Sequence, residues 1–150
     1  MGVRQIGGIY LIAVSLVVVV YFIINSFFVA NDTFDVQAVW NVLDVLMVIA
    51  LPIGLTLSFM DKAEERRQHA MGLSDPRKYI AVNGTFYGIV VVTILFLYNW
   101  FNLLAHGPDA FTGDATYWTL WAVIDTLLPI TLAIAGVRQL RGSSYWTPPR

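Results

Sequence analysis

The sequence predicts an all-α integral membrane protein, a four-helix bundle in a single domain of 150 residues. Three observations predict it. Hydrophobic residues make up 57% of the chain and charged residues 13%, against about 45–50% and about 25% in an ordinary soluble domain. The apolar residues gather into four stretches, approximately 6–29, 39–59, 80–105 and 117–137, each long enough for the ~20-residue helix that crosses ~30 Å of hydrocarbon. The charges are confined almost entirely to the segments between those stretches.

The first stretch carries no charge and exceeds the ~7–15-residue apolar core of a signal peptide, so it reads as a span. Its run Val17–Val20 would favour a strand in water. In lipid the backbone must satisfy its own hydrogen bonds, and the length and lack of alternation argue for a helix rather than a barrel strand. The second stretch is interrupted only by Asp44. After it, the charged segment Asp61–Met71 predicts a short interfacial helix ending at Gly72. Ser74 or Asp75 then caps the third helix, with Pro76 in its first turn. The third stretch has no charge, and the fourth is interrupted only by Asp125.

Basic residues set the expected orientation. All nine lie in one set of segments: Arg4; Lys62, Arg66, Arg67, Arg77 and Lys78; Arg138, Arg141 and Arg150. The opposite loops hold none and carry Asp32, Asp35, Asp109 and Asp114 instead. The positive-inside rule then puts both termini and the middle loop in the cytoplasm, in a plasma or inner membrane. Trp40, Trp100, Trp118 and Trp121 fall near the outer helix ends, and Tyr79, Tyr145 and Trp146 near the inner boundary, as interfacial belts do.

The chain also reads as two related hairpins. Trp40-Asn41-Val42-Leu43-Asp44 resembles Trp121-Ala122-Val123-Ile124-Asp125, and Leu51-Pro52-Ile53 matches Leu128-Pro129-Ile130. Tyr10, Asn25, Asp32 and Phe34 match Tyr87, Asn102, Asp109 and Phe111. Each unit crosses twice, so the repeats would be parallel, related by an axis along the membrane normal.

Asp44 and Asp125 are the residues that lipid tolerates least, at about 2.5–3.5 kcal/mol each near a helix centre. No Lys or Arg lies at matching depth in the sequence. Three readings follow: a proton or cation site made by two facing carboxylates, polar glue bonded to Asn25, Asn99, Asn102, Thr126 or an indole N–H, and an ion pair with a basic residue of another subunit. Pro52 and Pro129 predict kinks. Gly84 and Gly88 form a GxxxG motif that allows close helix packing, within the bundle or against a partner.

Other chemistry finds little support. There are no cysteines and only two histidines, His69 and His106, which removes thiolate metal sites and thiol redox chemistry and leaves few ligands for haem. His106 with Asp109 and Asp114 is too thin a set for a metal. No nucleophile elbow, phosphate loop or dinucleotide fingerprint occurs, and a net charge of −1 does not recruit nucleic acid. The expectation is a protein without cofactor, metal or catalytic activity: an accessory integral membrane subunit of a larger complex, with an energy-transducing, oxidase or monooxygenase assembly as host. The aromatic, proline-containing tail Ser143–Arg150 suits docking. The alternative is a small proton- or cation-coupled transporter or channel using Asp44 and Asp125, either alone or as a homo-oligomer.

Overall fold

A computed structural model describes residues 2–27 and 35–141. It is all-α. Helix α1 spans Val3–Phe27, α2 Val36–Ala70, α3 Pro76–His106 and α4 Ala115–Arg141, with a short 3₁₀ turn at Pro108–Phe111. All four helices are long and apolar enough to cross a membrane. Asp32, Phe34, the tail Ser143–Arg150 and the interfacial residues Tyr145 and Trp146 lie outside the described residues.

Helix α2 corrects one expectation. No separate interfacial helix forms at Asp61–Met71, because α2 continues unbroken to Ala70. The segment between Phe59 and Ala70 contains no Gly or Pro and is rich in strong helix formers such as Lys, Glu, Arg and Ala. Gly72 (φ +70°) ends it. Leu73 N–H reaches back to the Gln68 carbonyl and Gly72 N–H to that of His69, the paired bonds of a Schellman turn. The starts of α2, α3 and α4 are capped by aspartates. Asp35 accepts from Ala38 N–H at 2.9 Å, Asp75 from Arg77 N–H at 2.9 Å and Asp114 from Tyr117 N–H at 3.0 Å. These bonds satisfy helix-end donors that would otherwise have no partner.

The helices pack as a bundle in which α1 touches α2 and α4, and α3 closes the ring between them. Cross-helix bonds run antiparallel. Tyr10 of α1 donates to the Leu46 carbonyl of α2 at 3.0 Å, Arg4 meets Asp61 at 3.0 Å, and Ser15 donates to the Pro129 carbonyl of α4. The described basic residues therefore collect at one end of the bundle, and Asp35, Asp109 and Asp114 at the other. Leu11, Met47, Ala50, Ile89, Leu128 and Leu132 form a fully buried midsection. Large apolar side chains such as Leu16, Val20, Val45, Ile94 and Ile130 face outward. A soluble monomer rarely exposes so much contiguous apolar surface, whereas lipid accommodates it.

The basic end is tied by polar contacts. Asp61 of α2 binds Arg4 of α1 and accepts from Gln139 of α4 at 2.7 Å. Glu65, 1% exposed, pairs with Lys78 of α3 at 2.8 Å and accepts from Ser74 at 2.6 Å.

The tightest helix contact is between α1 and α4. A Cβ on Gly136 would lie 2.6 Å from the Gly8 backbone carbonyl, and one on Gly8 would lie 2.9 Å from the Gly136 carbonyl. Only residues without a side chain permit that approach. Of the GxxxG pair, Gly88 is in ordinary contact with Thr131, while a Cβ on Gly84 would meet nothing within 4 Å. Within the chain, close backbone packing thus falls at Gly8 and Gly136 rather than at Gly84. Gly136→Ala is expected to destabilise the bundle by about 1–3 kcal/mol through overpacking, whereas Gly84→Ala is neutral or stabilising by up to about 1 kcal/mol. Thermal unfolding of both variants in detergent, followed by circular dichroism, checks the contrast.

Candidate functional site

Helices α2 and α4 each place a Trp one turn before an Asp: Trp40 and Asp44, Trp121 and Asp125. Residues at i and i+4 share a helix face, and both faces turn inward. Asp44 is 2% exposed and Asp125 7%. At 1.5 Å per residue, Asp44 lies about 12 Å and Asp125 about 15 Å inside the acidic ends of their helices.

The two faces meet at one cavity of about 180 Å³, lined by Phe22, Asn25, Gln37, Trp40, Asp44, Leu103, Trp118, Trp121, Ala122 and Asp125. All four helices contribute. Asn25, Gln37, Leu103 and Trp118 sit in terminal turns at the acidic end, so the cavity runs from the bundle's acidic rim down to the two carboxyls. Beneath it, Met47, Leu51, Leu128 and Leu132 are buried and close the path toward the basic end.

Buried polar atoms without partners concentrate in this half of the bundle. Oδ1 of Asp44 and Oδ1 of Asp125 have no hydrogen-bond partner among the described residues. The amide of Asn99, 1% exposed, has none on either atom, and neither does the Tyr117 hydroxyl. Asp44 and Asp125 are close enough to interact electrostatically. Among the described residues no basic side chain lines the cavity. Pro129 has no N–H to donate to the Asp125 carbonyl, as a regular helix would.

Aromatic contacts hold the walls. Trp40 packs edge-on against Tyr21 with centroids 5.1 Å apart, and Trp121 edge-on against Phe96 at 5.9 Å. At the rim Phe111 stacks on Tyr117 at 3.8 Å, and Trp118 Nε1–H donates to the Phe111 carbonyl at 3.0 Å. The 3₁₀ turn is thereby fastened to the start of α4.

Of the residues singled out in the sequence, Asp44, Asp125 and Asn25 come together here. Asn102 does not line the cavity; its amide donates to the Tyr98 carbonyl of its own helix at 3.0 Å. Thr126 likewise donates to its own helix, at Ala122. His106, Asp109 and Asp114 do not converge, and no group of three or more His, Asp or Glu side chains among the described residues is placed to hold a metal. Phe22, Gln37 and Leu103 are wall residues that the sequence reading missed. Phe22 was within reach, since it precedes Asn25 by three positions and so shares its face.

The chain matches no family model, no curated protein and no solved structure.

A buried polar atom left without a partner costs about 1–3 kcal/mol. Asp44→Leu and Asp125→Leu are therefore each expected to raise the thermal midpoint in detergent. A lowered midpoint would mean that the carboxyls are structural glue.

Proposed function

We propose that this is a multi-pass membrane protein that binds a cation between Asp44 and Asp125, entered from the acidic end, with no catalytic activity of its own. The observation that carries this is the convergence of two buried, unpartnered carboxyls on a cavity that reaches the bundle rim. A cleft lined by one sign of charge with low-dielectric walls concentrates the opposite charge. The closed midsection supports a carrier-type or ion-coupled site over an open pore.

The segregation of the described basic residues supports a membrane orientation with the basic end, and both termini, in the cytoplasm of a plasma or inner membrane. The like placement of Trp40–Asp44 and Trp121–Asp125 supports two parallel-related hairpins. The matched residues of α1 and α3 support it less, since the Tyr10 hydroxyl donates across to α2 at a part-buried site while that of Tyr87 accepts from Lys62 at an exposed site.

A second reading, an accessory subunit of a larger membrane complex, is favoured by one observation. Helix α3 is the least buried of the four, and its Gly84 lies open, so a neighbouring helix from another chain has a surface to meet. In this reading a partner's basic side chain supplies the cation. Stoichiometric partners on purification in mild detergent would favour it.

Two measurements test the proposal. A ligand that binds only the folded state stabilises it by about 2.7 kcal/mol at a hundredfold excess over Kd. Across a panel of inorganic and organic cations at constant ionic strength, at least one is expected to raise the thermal midpoint of the wild-type chain, and Asp44→Asn and Asp125→Asn to abolish that rise. No cation effect, or one unchanged in both variants, overturns the cation site. Because the chain has no cysteine, single-Cys variants report orientation. In intact cells a membrane-impermeant maleimide is expected to label Ala110→Cys and spare Glu64→Cys.

A further inference from the structure

Resting on the cation reading, we infer that the cavity selects a small organic ammonium ion over a metal ion. The wall decides between them. Hard cations such as Ca²⁺ take about 6–8 oxygen ligands. The lining offers side-chain oxygens from Asp44, Asp125, Asn25 and Gln37, and the rest of it is Trp40, Trp118, Trp121, Phe22, Leu103 and Ala122. Only the four carboxyl oxygens stand at the inner end of the cavity, since Gln37 lies about 10 Å further along α2 and Asn25 in the last turn of α1. Four are too few to replace the hydration shell of a hard ion, and the apolar remainder gives it nothing. An alkylated ammonium has the opposite needs. Its charge is diffuse and weakly hydrated, its alkyl groups gain from apolar contact, and indole is the best of the aromatic partners for a cation.

The arrangement along the helices suits such a ligand. Each acid has an indole one turn nearer the rim on its own helix, so carboxyl and aromatic surface recur as a pair from two sides. Both indoles are packed against other rings, which limits the ordering cost on binding. The volume of about 180 Å³ falls below the ~300–1,000 Å³ of sites for drug-sized ligands, so the occupant is small.

Calorimetric titration of the purified chain in lipid nanodiscs tests this, using tetramethylammonium, Na⁺, Ca²⁺ and the neutral analogue tert-butanol at constant ionic strength. Tetramethylammonium is expected to bind saturably, with tert-butanol, Na⁺ and Ca²⁺ at least ~10-fold weaker. Trp40→Leu and Trp118→Leu, neither of them fully buried, are each expected to weaken it ~3- to 30-fold. Asp44→Asn and Asp125→Asn are expected to weaken it ~30-fold or more, while thermal midpoints confirm that every variant is folded. Carboxyl-dependent binding of Na⁺ or Ca²⁺ equal to or tighter than that of tetramethylammonium overturns the ammonium assignment and leaves the cation site standing. So does tetramethylammonium binding that is indifferent to both Trp changes. Absence of any carboxyl-dependent binding overturns both.

Discussion

Hydrocarbon cannot accept or donate a hydrogen bond, and most of this structure follows from that constraint. It makes the valine-rich α1 a helix in spite of its β-branched run, since only a helix satisfies an isolated spanning backbone. It also disciplines the side chains. Thr85, Thr93, Thr119, Thr126 and Thr131 all donate to a carbonyl of their own helix, as do Asn83 and Asn102. Against this pattern the described polar side chains that are buried and have no hydrogen-bond partner stand out. Apart from Ser58 and the Glu65 cluster, they are Asp44, Asp125, Asn99 and Tyr117, and all four lie in the acidic half of the bundle.

The bundle consequently has two unlike halves. Toward the basic end, polar side chains are matched across helices, with Asp61 joining α1, α2 and α4 and Glu65 joining α2 to the start of α3. The Gly8–Gly136 approach lies beside these contacts, and in the midsection the bundle is held by a layer of Leu, Met and Ile. Toward the acidic end the same four helices leave a cavity lined by indoles and reaching the two carboxyls. The polar contacts matched across helices therefore lie away from the candidate site. Sites of binding are regularly built from polar groups that the fold alone would not choose.

Much of this was legible in the residues, and the remainder was not for identifiable reasons. Span length and hydrophobicity located the helices, because lipid imposes one answer on a long apolar stretch. The caps at Asp75 and Pro76 were readable because capping is local chemistry. Asp44 and Asp125 were visible as misfits, since their cost depends on depth and residue type alone. That they share one cavity with Asn25 while Asn102 turns to its own helix depends on how four helices are rotated against each other, which a periodicity of 3.6 does not determine for uniformly apolar segments. Gly8 and Gly136 escaped notice for a related reason. A glycine pair 128 positions apart in sequence gives no local motif, whereas Gly84 and Gly88 give one and yet Gly84 faces open space. The unbroken length of α2 was missed because a change from apolar to charged residues marks the edge of a membrane, not the end of a helix.

The choice between glue and site turns on partners. A structural role for a buried carboxyl requires a donor in reach, because desolvation is recovered only through bonds to the charged or protonated group. Of the donors the glue reading names, Asn102 and Thr126 are turned to their own backbones. Asn25 and the indoles line the cavity without a hydrogen bond to either acid, the buried Asn99 amide has no partner, and no base among the described residues lines the cavity. As a purely structural element this pair would cost stability twice, once in desolvation and once in like-charge repulsion. In the proposed reading both costs are offset when a cation sits between the carboxyls, since it attracts both charges and is ligated by the unpartnered oxygens. On the proposed function, the positions that weaken the fold are the ones that gain from an occupant.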